Sequence, residues 1–249
     1  MKKERRKTYV LIGVVGLVCI VVLSFLLRGH SEGVKYIQSQ EKRDLTNVSA
    51  EVSKDRAKER KKAIREGKLD AYALLDDFVF YGDSRVLHYN SYGFIDAEHI
   101  FADNGETFAD VPKYNDRLKE KNPKTVLIAY GVNDIYYQAG KDVEGGYPQL
   151  VRNSLEDIHK IVPKATIYVC GMIPISPYGL QRLNMTENSG EYNATLKSIV
   201  DEYDYVKYID DETLSVDGLA DIYAADGYHF QSDFYEEWTQ YIVSCIEQK

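Results

Sequence analysis

Four short runs rich in β-branched and aromatic residues, at 78–81, 126–130, 166–170 and 206–209, are bounded by Gly, Pro or Asp and predict buried strands. Between them the apolar period changes. Leu150, Val151, Leu155, Ile158 and Ile161 recur every three or four positions behind Pro148, and Leu196, Ile199, Val200 and Tyr203 do the same, so each set marks one face of a helix. A last helix is expected from Phe234, Trp238, Tyr241, Ile242, Cys245 and Ile246, with Ser232 placed to cap its N-terminus. Strands that alternate with helices predict a mainly parallel sheet covered on both faces, an α/β three-layer α/β/α sandwich of flavodoxin-like type. Ligands in such folds sit beyond the carboxyl ends of the strands, so the residues after each strand are where chemistry is expected.

The N-terminal end follows a different pattern. Residues 9–27 carry no charge, and as a helix they would extend roughly 28 Å, close to the thickness of a bilayer's hydrocarbon core. No small-x-small cleavage signal follows Leu27, where the chain reads Arg28-Gly29-His30, so this is expected to be an uncleaved membrane anchor rather than a signal peptide. Five basic groups among the first eight residues place the N-terminus in the cytoplasm and everything after the span outside the cell. Residues 28–70 are charged and proline-free, and the coiled-coil spacing of Leu45, Val48 and Val52 is not sustained; a solvated helical spacer is expected. The chain therefore divides into a basic N-terminus (1–8), a transmembrane helix (9–27), a spacer (28–70) and an outer domain (71–249).

Composition narrows the possible partners. The chain has 249 residues, 44% hydrophobic and 28% charged, as ordinary globular proteins do. The net charge of -8 conceals a division, because 17 of the 31 basic but only 9 of the 39 acidic residues precede residue 71. The outer domain then holds 14 basic and 30 acidic residues, which excludes a polyphosphate partner such as nucleic acid. Cys170 and Cys245 are read as small buried hydrophobes, with their pairing left open. No cysteine or second histidine stands at ligand spacing from His88 or His99, so His88 is read as a satisfied, partly buried histidine and His99 as a loop residue. No metal or other cofactor is expected.

Three polar turns follow from this frame. Gly82-Asp83-Ser84-Arg85 and Gly131-Val132-Asn133-Asp134 lie just past two of the expected strands, and Asp226-Gly227-Tyr228-His229 lies on a loop before the last helix. A serine after a strand is ordinarily a helix cap. Together with an imidazole that takes its proton and a carboxylate that holds the ring, it becomes a nucleophile toward carbonyl carbon. The oxyanion would need donors: the Ser84 N–H, a nearby glycine N–H and an amide side chain. Asp134 is expected to brace its loop through backbone hydrogen bonds. Tyr136, Tyr137, Tyr178 and Tyr228 flank the proposed site as aromatic platforms suited to sugar rings, and residues 172–177 should form a loop that shapes the pocket wall.

In this order the blocks resemble the SGNH (GDSL-type) hydrolase family: Gly82-Asp83-Ser84, Asn104-Gly105-Glu106-Thr107, Gly131-Val132-Asn133-Asp134, and Asp226 with His229. The similarity spans about residues 78–230. It implies that Ser84 is the nucleophile, His229 the base and then the acid, and Asp226 the orienting group, with Ser84, Gly105 and Asn133 forming the oxyanion hole. Arg85 stands where the GDSL form has leucine, as in GDSR variants, and is assigned with Tyr136 and Tyr228 to substrate binding. The G-x-S-x-G turn of the other large serine-esterase fold is absent. The expected function is a membrane-anchored serine esterase that removes short acyl groups, O-acetyl above all, from a carbohydrate or cell-envelope polymer. The alternative is an O-acetyltransferase served by a membrane acetyl donor, and a catalytically silent carbohydrate-binding module is the rival from another class.

Overall fold

The computed structural model describes residues 70–186, 189–215 and 222–247, with residues 59, 62, 63 and 66 ahead of them. The expected anchor and most of the spacer lie outside the described residues, and among the described residues no helix is long and apolar enough to cross a membrane. Residues 1–54 belong to a separate unit; all described residues fall in the unit 55–249.

Five strands, β1 (Phe78–Gly82), β2 (Ile100–Ala102), β3 (Thr125–Ala129), β4 (Thr166–Cys170) and β5 (Val206–Ile209), pair in parallel in the order β2-β1-β3-β4-β5. Side chains alternate across a strand, and here both faces are buried. Val79, Tyr81, Val126, Ile128, Ile167 and Val169 enter one core, and Phe78, Phe80, Leu127, Tyr168 and Cys170 enter the other. Burial on both sides explains why these strands read as continuous apolar runs rather than alternating ones. Each fully buried side chain of this size contributes about 1.5–3 kcal/mol.

The first core is closed by a 3₁₀ segment (Phe108–Tyr114) and three helices, α2 (Asn115–Lys121), α4 (Gly146–Ile161) and α6 (Ser189–Val200); Val111, Leu118, Leu155, Ile158 and Leu196 supply its buried contacts. The second core is closed by α1 (Ser84–Ser91) and α7 (Phe234–Glu247), through Val86, Tyr89, Tyr235, Trp238 and Ile242. Two short helices, α3 (Val132–Tyr137) and α5 (Pro177–Leu183), sit at the carboxyl edge. This is the three-layer sandwich.

Local expectations are refined at several points. A short strand not among the four expected ones, Ile100–Ala102, pairs along the edge of β1, and just before it His99 stacks its ring on Phe78 at 4.7 Å. Pro177 does not end the wall loop 172–177 but opens α5, with the Ser176 side chain accepting from the Gly179 N–H. The last helix starts at Phe234, so Ser232 lies two residues ahead of it; its carbonyl accepts from the Tyr235 N–H. Cys170 and Cys245 do not form a disulfide with each other.

Candidate active site

Strand register assembles the site. Gly82 pairs with Ala102 on one side and Ala129 on the other, so β1, β2 and β3 end level and the turns that follow them stand side by side. A Cβ on Gly82 would fall 2.2 Å from the Val86 side chain and 2.8 Å from the Ala129 carbonyl oxygen, so only glycine lets α1 leave β1 this closely. Asp83 caps α1, accepting from the Arg85 N–H at 2.9 Å, and Ser84 is the first helical residue.

The loop before α7 brings the second half. A bridge between Tyr223 and Phe230 and the hydrogen bond from Ala224 N–H to the His229 carbonyl close it. Within it Asp226 Oδ1 accepts from the Tyr228 and His229 N–H groups, at 3.0 and 2.9 Å, while Oδ2 lies 2.7 Å from His229 Nδ1. His229 Nε2 lies 2.8 Å from Ser84 Oγ, 145 positions away in sequence. Burial alone would raise the Asp226 pKa, but the hydrogen bonds from His229 and Tyr228 outweigh it and the carboxyl titrates below its ordinary range. An ionised Asp226 only accepts, so the proton belongs on Nδ1. Nε2 is then left to accept from the serine hydroxyl.

Arg85 corrects the sequence reading. Expected to contact substrate, it is buried at 6% exposure, and its guanidinium points inward. Nε donates to the Tyr228 carbonyl (2.8 Å), Nη1 donates to the Ile173 carbonyl (2.7 Å), and the cation lies 4.5 Å from the centre of the Phe230 ring. It thus fastens α1, which bears Ser84, to the loop that bears Asp226 and His229. Asp83, 2% exposed, has its pKa raised by burial against the opposing pull of Arg85.

The other predicted residues lie on the turns that follow β2 and β3, the two neighbours of β1. The N–H groups of Ser84 and Gly105 have no hydrogen-bond partner among the described residues. Gly105 has φ +80°, a left-handed conformation that suits glycine. Asn133 Nδ2 donates to the Glu106 carbonyl at 3.2 Å, so its amide stands against the glycine turn with a second N–H unused. Sequence reasoning missed what builds that turn. Glu106, 4% exposed, accepts from the Tyr114 hydroxyl (2.8 Å), Lys113 Nζ (3.2 Å) and the Asp103 N–H (3.0 Å); the capping box of Thr107 with Asp110 was the signal available.

Expected to brace its own loop, Asp134 instead ties α3 to the 3₁₀ segment, its Oδ1 accepting from the Phe108 N–H, 26 positions away, at 3.1 Å. Burial pushes its pKa up to about 8, against the lowering effect of that bond. His88 is not the satisfied histidine expected: its Nδ1 is buried without a partner, and its ring centre lies 4.9 Å from that of His229. Burial first, and then the charge of His229, lower its pKa. Tyr228 sets its ring 4.5 Å from His229. Tyr136, Tyr137 and Tyr178 are exposed, at 48%, 52% and 56%. Of these Tyr137 reaches the glycine turn, its hydroxyl 3.8 Å from where a Cβ on Gly105 would stand. Among the described residues no group of three or more His, Cys, Asp or Glu side chains could hold a metal ion.

Comparison with known proteins follows the same outline. The sequence profile of the GDSL-like lipase/acylhydrolase family matches residues 81–236, a span that contains Ser84, Gly105, Asn133, Asp226 and His229. A Clostridium thermocellum family 3 carbohydrate esterase superposes with a TM-score of 0.50 at 16% identity, covering 68% of this chain and 98% of its own. A GDSL-like lipase from Bacteroides thetaiotaomicron gives 0.49 at 15% identity, over 76% and 97% of the two chains. A lipase/acylhydrolase from Enterococcus faecalis gives 0.49 at 16%, over 68% and 94%. No curated protein sequence matches.

Proposed function

The chain belongs to the GDSL-like lipase/acylhydrolase family and is an ester-cleaving serine hydrolase, and from that premise we propose that Ser84, His229 and Asp226 are its triad and that it removes short acyl groups, chiefly O-acetyl, from a carbohydrate. The observation that carries the reading is the unbroken relay from Asp226 Oδ2 to His229 Nδ1 (2.7 Å) and from His229 Nε2 to Ser84 Oγ (2.8 Å).

In this mechanism His229 Nε2 takes the hydroxyl proton as Ser84 Oγ forms a bond to the ester carbonyl carbon. Asp226 stabilises the imidazolium. The carbonyl oxygen becomes an oxyanion, received by the Ser84 and Gly105 N–H groups and the Asn133 amide, each donor contributing about 3 kcal/mol to the transition state. Collapse expels the sugar alkoxide, which takes the proton from His229. Water, deprotonated by the same imidazole, then cleaves the acyl-enzyme to free acid and Ser84.

Exposed Tyr136, Tyr137 and Tyr178, with Tyr228 beside His229, support a sugar-bearing substrate, since ring faces stack on the C–H faces of sugars. The fold is shared with a carbohydrate esterase. The uncharged residues 9–27 and the basic groups before them support tethering to the cell membrane with residues 71–249 outside.

The test incubates the chain with an activated acetyl ester and a chitin-type oligosaccharide, against Ser84→Ala, and weighs the products by mass spectrometry. Ser84-dependent acetate with unmodified sugar is the expected result. An acetylated sugar would make the protein a transferase, and products equal to those of Ser84→Ala would remove the triad from the account.

A further inference from the structure

Four aromatic rings stand in a row beside the serine. Between ring centres, Tyr228 lies 4.5 Å from His229, His229 lies 4.9 Å from His88, and His88 lies 5.5 Å from Tyr92. Spacings this short leave no room for another side chain between consecutive rings. Helix α1 supplies the outer half of the row. Ser84, His88 and Tyr92 recur every four positions, so they share one side of the helix, each about 6 Å further along its axis than the last. The row therefore runs from the catalytic base to the C-cap of α1, where Tyr92 is 42% exposed. Tyr136 and Tyr137 are exposed aromatics too, but they stand on α3, with Asn133, on the other side of the serine.

The reaction distinguishes these two sides. The carbonyl oxygen of the ester turns toward Gly105 and Asn133, on the turns that follow β2 and β3. His229 must hand its proton to the departing alkoxide, so the alcohol oxygen lies within hydrogen-bond reach of Nε2 as the intermediate collapses. The alcohol half of the ester is thus on the His229 side, where His88 and Tyr92 continue the row outward.

Charge and shape narrow what that alcohol is. Burial first, and then the charge of His229, lower the His88 pKa, and a second proton would place an N–H on its buried, partnerless Nδ1. His88 is therefore an uncharged ring while His229 carries the proton of the reaction. The row offers no fixed cation to a carboxylate or phosphate, and the 30 acidic against 14 basic residues of 71–249 repel such groups. A fatty alcohol would call for an enclosed apolar channel, whereas this row ends in the open at Tyr92. Aromatic faces open to water suit the C–H faces of neutral sugar rings.

We infer that His88 and Tyr92 form the subsite for the alcohol half of the substrate, a neutral sugar whose rings pack on them while its acylated oxygen lies between Ser84 and His229. The inference rests on the esterase reading above and adds which residues hold the sugar and on which side of the serine.

The experiment uses the isolated full chain. It compares kcat/KM for acetate release from partially O-acetylated xylotetraose, cellotetraose and chitotetraose with that from ethyl acetate and benzyl acetate, which share the acyl group and lack the sugar. Tyr92→Leu keeps apolar packing against Phe94 and Tyr235 and removes the exposed ring; Tyr92→Trp restores a ring, and His88→Leu removes the inner one. For at least one tetraose, the ratio of kcat/KM to that of ethyl acetate should fall about three- to tenfold with Tyr92→Leu, through KM, as one aromatic contact is lost. His88→Leu should lower the same ratio, and Tyr92→Trp should hold it within about twofold of the parent. The inference is overturned if no acetylated tetraose is cleaved more efficiently than ethyl acetate, or if the ratios ignore both leucine variants. It is equally overturned if kcat rather than KM carries the change in Tyr92→Leu, or if benzyl acetate alone responds. Ester cleavage that persists in Ser84→Ala would instead sink the esterase reading, whatever the leucine variants do.

Discussion

Replacing Arg85 by methionine keeps most of the side chain's bulk and removes its five donors. Two hydrogen bonds from a cation to main-chain carbonyls disappear, at 2.8 Å to Tyr228 and 2.7 Å to Ile173, and so does the contact with the Phe230 ring. A bond of this kind contributes about 1.5–3 kcal/mol, and the two carbonyls would be left without these donors. Relief from burying a cation offsets part of the loss, so the net cost should be about 3–5 kcal/mol, the range found when a buried charged partner is removed. In a protein of this size that lowers Tm by about 6–20 °C. The kinetic consequence is separate. Arg85 holds the His229 loop against α1, and a displacement of about 1 Å between base and nucleophile costs on the order of 100-fold. Steady-state kinetics on p-nitrophenyl acetate and butyrate, with thermal melts at each pH, should show kcat reduced about 10- to 100-fold on both esters and KM little changed. Arg85→Lys, able to reach one carbonyl, should recover part of both losses. A raised KM with unchanged kcat and Tm would return Arg85 to the substrate-contact role read from the sequence and refute the positioning argument.

His229→Ala should lower turnover by several orders of magnitude with a melting temperature near that of the parent, since residues of a triad act as a unit; equal turnover in an ester assay would remove His229 from the reaction. Asn133→Ala should cost about 10²- to 10³-fold in kcat; a change confined to KM would contradict an oxyanion role. Asp134→Asn tests the buried carboxyl. Its folded pKa of about 8 stands above the ordinary value of 3.8, so between those values the folded state binds more protons and stability falls as pH rises. Asparagine keeps the acceptor for the Phe108 N–H and cannot ionise, so melts from pH 5 to 9 should decline less steeply than in the parent; identical slopes would mean Asp134 does not titrate in that window.

Apolar patterning alone determined the layered architecture. Strands buried on both faces must be apolar at successive positions, and helices packed against them must repeat every three or four residues, so β1, β3, β4, β5, α4, α6 and α7 were all legible in sequence. The triad candidates were legible for a related reason: the turn that holds Asp226 and His229 together is local, the two residues standing three positions apart. Other features are not local. Arg85 looks like a surface cation in sequence, and only the approach of Tyr228, 143 positions away, makes it a buried clamp. His88 beside His229 likewise depends on how α1 packs against a distant loop. The Glu106 network arises from elements that the sequence places in order but not in space. Burial and partnership belong to pairs of residues far apart in the chain, and a single sequence fixes each residue's chemistry without fixing its neighbours. The tertiary fold decided which polar groups became tools and which became braces.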